Sequence, residues 1–338
     1  MLEHPLHKGF YVYVPYRCLL PKGLEGLLVA GIGMSVHRDA LPLTRMQADI
    51  QNQGYAAGVA GAMAVKAGIP PRQIDVNVLQ KHLVEIGNLP ESVLSDEDSY
   101  PMPPEKIAAA VKSFAAKEAS GAAVILAHAQ EALPLVKEAY QAASGEAKLA
   151  YARLLAMMGD ATGLETLLGE LDQMSQWDAG WNYRAMGQFG HAMSPMDCLA
   201  VAIGRTRKPQ AVPVLAAKLK LLTAEHDFSH HRAIALALES IGDPSAAKPL
   251  AEHLAKPGMT GYAHATLARA RELEDFKGGT NAVETRRTSL RELMYARALY
   301  RCGDHDGLGE KILKQYTQDL RGHLARHAQA VLKEGNRR

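Results

Sequence analysis

The chain has 338 residues, room for two domains, and its 47% hydrophobic and 22% charged residues are ordinary for a globular protein. A formal net charge of +2 provides no global field for nucleic acid or an anionic membrane, and no run of about 18 apolar residues marks a membrane span. The three cysteines, Cys18, Cys198 and Cys302, are too scattered for a disulfide framework or a zinc site and are expected to be buried free thiols.

The first residues, MLEHPLHKGFYVYVPYRC, show no basic region followed by the apolar core of a signal peptide. The chain then enters an expected strand, Phe10 to Val14, rich in β-branched and aromatic residues and stopped by Pro15. Such an abrupt start points to a piece of something longer. Pro21-Lys22-Gly23 is turn chemistry, and Leu27-Leu-Val-Ala30 between Gly26 and Gly31 reads as a second, neighbouring strand. Gly31-Ile-Gly33 is not a dinucleotide fingerprint. Val36 stands at the third glycine position, Pro42 interrupts the helix that should follow, and no acidic residue ends a second strand about 20 positions on.

Thr44-Arg-Met-Gln47 matches a capping box, and the helix it opens is expected to run to about Ala67, with Gly68 as its stop and Pro70-Pro71 beyond. Gly54, Ala57, Gly58, Gly61 and Ala62 recur along it at helical spacing. Each glycine costs about 1 kcal/mol of helix propensity relative to alanine. Such a stripe calls either for tight packing on a sheet or helix or for the close approach of a cofactor. The helix N-terminus, with free amides and partial positive charge, suits an anion or an electron-rich ring edge. The loop before it gathers Ser35, His37, Arg38, Asp39 and Arg45. Asp75 then caps a short helix, Val76 to Ile86, with Leu79, Leu83 and Ile86 on one face and Gly87 at its end.

Val14-Pro-Tyr-Arg-Cys-Leu-Leu-Pro-Lys22, Leu27-Leu-Val-Ala-Gly31, Ser35, Ala40-Leu41, Arg45 and Gly54-x-Ala-Ala-Gly58 stand in order and at the right distances. Together they resemble the C-terminal FAD-binding segment of a bacterial family of FAD-dependent oxidoreductases, in which I-P-Y-R, a P-K turn, L-L-V-A-G-R-x-I-S and G-Q-A-A-G-x-A-A-A recur. The resemblance covers about residues 10 to 90. Ile32 replaces the family's arginine, and His37 stands one position before its usual histidine. The Gly-rich pyrophosphate fingerprint that such enzymes carry far upstream has no counterpart here. The resemblance therefore implies a C-terminal portion whose partner is the missing N-terminal dinucleotide-binding half. It also implies cofactor-binding roles for Gly31, Ser35, Arg45, Met46, Gln47, Gly54 and Gly58. His37, Arg38 and Asp39 become candidates for catalysis, facing the isoalloxazine or the substrate. FAD is the cofactor of the complete enzyme; no metal, nucleic acid or membrane partner is expected.

From Pro101 the pattern changes to alanine- and leucine-rich helical periodicity. Leu149 to Asp160, Ala233 to Asp243 and Leu293 to Asp304 each read as a helix ending in Gly-Asp before a second helix, and Cys198 to Leu215 is a fourth copy with its turn at Gly204 to Pro209. Glycine accepts the left-handed end of the first helix and aspartate caps the second. This pattern fits a HEAT-type α-solenoid. Two patches break it: Trp177 to Tyr183, expected to fill the seam against the flavin unit, and His226-Asp-Phe-Ser-His230-His231, where Ser229 as a helix cap would leave His226 outside and argue against a metal site.

The expected architecture is thus mainly α. Residues 1–95 form a short α/β flavin segment of two strands and a long Gly/Ala-rich helix, and residues 96–338 form a HEAT-like solenoid. The expected function is the C-terminal portion of an FAD-dependent oxidoreductase, inactive in isolation. The alternative is a non-catalytic helical-repeat scaffold carrying a vestigial flavin segment.

Overall fold

The computed structural model describes residues 12–36, 40–96, 101–115, 119–182, 194–274 and 284–335. The chain divides after Pro101 into two compact units. Both are helical, and no helix among the described residues is long and apolar enough to cross a membrane.

The first unit is organised by α1 (Gln47–Ala67) and α2 (Val76–Glu85). α1 ends as its sequence requires: Gly68 adopts φ 65°, and the amide of Ile69 donates back to Ala64 O. α2 starts under Asp75, whose Oδ1 accepts the Asn77 amide at 2.9 Å. Ala60, Ala64, Ile74, Leu79 and Leu83 form a small core, lined by Tyr16, Leu28, Val59 and Met63. Ile86 does not join Leu79 and Leu83; it lies beyond the last turn of α2 and is exposed.

Neither expected strand forms among the described residues. Val12–Val14 and Leu27–Ala30 take no regular secondary structure, and no sheet is present among the described residues. Val29 donates to Leu19 O at 2.8 Å and Ser35 to Cys18 O at 2.9 Å, isolated bonds rather than a ladder. A strand exists only through its neighbours, so a strand-like sequence without one stays irregular. The part of the first expected strand at Phe10 and Tyr11 lies outside the described residues.

The second unit comprises α3 (Pro104–Phe114), α4 (Ala119–Ala127), α5 (Ala129–Ala142), α6 (Gly145–Met157), α7 (Leu164–Gln173), α8 (Pro195–Arg205) and α9 (Val212–Leu221). It continues with α10 (Phe228–Ile241), α11 (Ala247–Leu254), α12 (Leu267–Leu273), α13 (Glu284–Arg301), α14 (Leu308–Tyr316) and α15 (Gly322–Glu334). α6, α8, α10 and α13 each pack on the next, and α7, α9 and α11 do the same beside them. One continuous core runs through both rows, including Leu154, Leu167, Leu199, Leu215, Ile234 and Leu250.

The Gly-Asp turns behave alike. Gly159, Gly242 and Gly303 have φ of 84°, 67° and 99°. Asp160 and Asp243 accept the amides of Thr162 and Ser245, while Asp304 accepts those of Gly309 and Glu310. The fourth copy departs. Gly204 is inside α8, and the left-handed residue is Arg207, φ 54°. A Cβ on Gly204 would stand 2.4 Å from Ala237 Cα, so this glycine serves the close approach of α8 and α10.

Basic side chains tie successive helices together. Lys218 of α9, buried, donates to the carbonyls of Asp172 and Met174 at the end of α7, at 3.1 and 2.7 Å. Lys256, just after α11, donates to Lys220 O and Leu222 O at the end of α9, at 2.8 and 2.7 Å. In both cases an ammonium satisfies two carbonyls, two residues apart, that the preceding helix leaves open.

Candidate functional site

The polar loop of the first unit leaves the segment Leu27–Ala30 at Gly31. This residue is buried with φ 75°, and a Cβ on it would already stand 3.4 Å from Ile50 Cγ2. Gly31 to Gly33 make one tight turn, closed by the Met34 amide on Gly31 O. Gln53, inside α1, then clamps both ends of the loop: its Oε1 accepts the Gly31 amide at 3.2 Å, and its Nε2 donates to Thr44 O at 3.1 Å. Sequence reasoning missed Gln53, because its partners lie 22 and 9 residues away and no local motif marks it.

The capping box at Thr44 does not form. Leu41-Pro42-Leu43 make a tight turn, and the Thr44 hydroxyl donates to Leu41 O at 3.3 Å. α1 starts later, at Gln47, with Met46 in the cap position, a residue whose side chain makes no capping bond. The first amides carry the positive end of a 21-residue helix. Arg45, Met46 and Gln47 are exposed around them, and Ser35 is exposed on the loop. His37, Arg38 and Asp39 lie outside the described residues.

Gly54 and Gly58 project from the exposed side of α1, and a Cβ on either would meet nothing within 4 Å. Within this unit the small-residue stripe is therefore not explained by close packing. The buried side of α1 is instead Ala60 and Ala64. The open side also carries Val65, 84% exposed, and Tyr55, whose hydroxyl meets His82 Nε2 at 3.1 Å.

Under the loop lies a cavity of about 160 Å³, lined by Pro15, Cys18, Met34, Val36, Leu43 and Thr44 among others. Small-molecule sites usually enclose 300–1,000 Å³, so this cavity is smaller than a cofactor chamber. The fit to FAD is accordingly partial. A helix N-terminus and a polar loop suit one end of the cofactor, and no Gly-rich strand-to-helix turn among the described residues suits the pyrophosphate.

In the second unit the conspicuous side chains are structural. Trp177 packs on that unit's core and its Nε1 faces Lys218 O at 3.4 Å. Ser229 is not the cap of α10 but lies within it, with Oγ accepting the Trp181 amide at 3.0 Å. His226 precedes α10, and its Nδ1 accepts the Thr223 amide at 3.1 Å. Among the described residues no three His, Cys, Asp or Glu side chains converge as metal ligands. All three cysteines are free; Cys198 and Cys302 are buried and Cys18 is half-buried.

Residues 3–83 match the family model described as FAD dependent oxidoreductase. That stretch contains the loop, the Gln53 clamp and all of α1. No curated protein and no solved structure matches the chain.

Proposed function

We propose that this chain supplies the C-terminal, isoalloxazine-side portion of an FAD-dependent oxidoreductase and carries a helical-repeat domain behind it. The carrying observation is the start of α1, with Met46 in its cap position, beside a loop that Gln53 locks at both ends, within the stretch that matches the family. When bound, the flavin supplies the redox chemistry. The chain's own part is orientation and electrostatics. Gly31 and Ser35 form a wall close to the ring. The amides of α1 beside Arg45, Met46 and Gln47 receive an electron-rich edge or a phosphate. His37, Arg38 and Asp39, next in sequence after this wall, are the candidates for catalysis.

The open small-residue side of α1, at Gly54 and Gly58, is read as the face on which cofactor and dinucleotide-binding half settle. The segments 12–14 and 27–30 are read as strands that form when a sheet is supplied. The second unit is read as a HEAT-like solenoid, supported by its two rows of helices and the recurring Lys218 and Lys256 ties. The same features favour, as a second reading, a repeat scaffold with a vestigial flavin segment.

The discriminating experiment assembles the chain with a separately expressed N-terminal half of a family member and measures flavin retention and reduction. On the first reading, Arg45→Ala releases flavin or slows its reduction. Unchanged flavin content and rate remove Arg45 from the site, and failure of any half to restore flavin binding favours the scaffold.

A further inference from the structure

His230 of α10 is almost completely buried, and both of its ring nitrogens face acceptors. Nδ1 donates to Asp197 Oδ1 of α8 at 2.8 Å, and Nε2 donates to the backbone carbonyl of Asp178 at 3.0 Å. A neutral imidazole has one donor and would turn a lone pair on a carboxylate or a carbonyl; only the imidazolium satisfies both.

The Asp178 carbonyl belongs to the segment Trp177 to Asn182, which lies across α8 and the start of α10. Asp178 Oδ1 accepts the Ser194 hydroxyl at 2.5 Å and Oδ2 the Met196 amide at 3.2 Å. Asp227 Oδ2 accepts the Gly180 amide at 3.0 Å, the Trp181 amide donates to Ser229 Oγ at 3.0 Å, and the Ser229 amide donates to Trp181 O at 3.1 Å. The fit is tight enough that a Cβ on Gly180 would stand 2.7 Å from His230 Nε2. Trp177 lies on the imidazole, ring centroids 4.6 Å apart.

We propose that His230 is a proton-operated latch, which as an imidazolium holds the segment Trp177 to Asn182 on α8 and α10 and on losing its proton lets that segment go. The proton leaves Nε2 for solvent base, because Nδ1–H is held by the Asp197 carboxylate. The Nε2 lone pair then opposes the Asp178 carbonyl and the bond between them is lost.

The surrounding groups keep the response to one site. Asp197 and Asp178 are the acids facing the ring, and together they raise its proton affinity above that of a free histidine, overcoming burial. The charge of Asp197 also reaches Cys198 beside it and Tyr295 of α13; burial keeps both protonated beyond the range of histidine titration. Arg153 of α6 lies within reach of Cys198. His231, next along α10, is held neutral down to about 2 by burial and by Arg291.

The chain contains two tryptophans, Trp177 and Trp181, and both belong to this segment, so tryptophan emission, excited selectively over that of tyrosine, reports on it. Titrating the full chain from about pH 6 to 9 should give one emission transition, red-shifted at high pH, with its midpoint above the ordinary histidine value near 6.5. His230→Gln should abolish it, and Asp197→Asn should move its midpoint down by roughly one unit or more. Flat emission in wild type, or an unchanged transition in His230→Gln, overturns the latch. Should the variants fail to fold, hydrogen exchange of the wild type decides. Above the midpoint the Gly180 and Trp181 amides should lose protection while the interior of α8 keeps it; simultaneous loss in both overturns the proposal.

Discussion

Replacing Gly58 with alanine and replacing Gly204 with alanine add the same methyl group to two helices, with opposite expected results. At Gly58 the new Cβ meets nothing within 4 Å, so the change acts through helix propensity and should stabilise α1 by about 0.8–1 kcal/mol. At Gly204 the new Cβ would lie 2.4 Å from Ala237 Cα and 3.0 Å from Ala237 O. Backbone atoms cannot rotate away, so α8 and α10 must separate by on the order of 1 Å, at the upper end of the ~1–3 kcal/mol typical of overpacking. Subtracting the ~1 kcal/mol propensity gain leaves a net loss of about 2 kcal/mol. Hydrogen exchange resolves the two units separately. Protection in the middle of α1 should rise about 5-fold for Gly58→Ala, and protection in α8 and α10 should fall about 30-fold for Gly204→Ala, since 1.4 kcal/mol is a factor of ten. A fall in α1 protection for Gly58→Ala would mean that its open face is covered in the isolated chain. An unchanged α8 would remove the helix-contact explanation for Gly204.

Lys218→Met should destabilise the second unit by about 1–3 kcal/mol, because it orphans the carbonyls of Asp172 and Met174; a urea midpoint equal to wild type would show that these ties are ornamental. Acid should act through His231 and His253, which burial holds neutral down to about 2 and about 3. Their folded pKa values lie below the unfolded value near 6.5, so their stabilisation is present above pH 6.5 and lost as pH falls below it, by up to ~1.4 kcal/mol per pH unit for each. His230 has the opposite sign: raised in the fold, its contribution is present below pH 6.5 and lost as pH rises through its folded pKa. Urea unfolding should therefore give lower stability at pH 5.5 than at pH 6.5, since the two neutral histidines outweigh His230 over that interval, and equal stability at the two values would contradict the assignment of His231 and His253.

What the sequence disclosed was local. The αL stop at Gly68, the Asp75 cap and the Gly-Asp turns at 159–160, 242–243 and 303–304 each depend on residues a few positions apart, and each is found. What it did not disclose depends on distant partners. Strand-like Leu27 to Ala30 joins no ladder among the described residues, and Leu41-Pro42-Leu43 turn so that Thr44 bonds backwards instead of capping α1. The Gln53 clamp and the Lys218 tie join residues 22 and 46 apart, and no short motif encodes them. Trp177 and Trp181 stood out as a patch, but their anchoring on Lys218, Ser229 and His230 comes from helix packing within the second unit.

The proposal to be tested is that the stretch matching the family supplies one side of a flavin site and that a separate N-terminal half supplies the other. The direct measurement is the visible spectrum of the purified 338-residue chain with saturating FAD, alone and after assembly with an N-terminal half bearing the Gly-rich pyrophosphate turn. The expected result is a chain that is colourless after desalting when alone and retains one FAD per assembly, with flavin absorbance near 450 nm, when the half is present. Stoichiometric FAD on the chain alone, or no FAD with any half of the family, would contradict it.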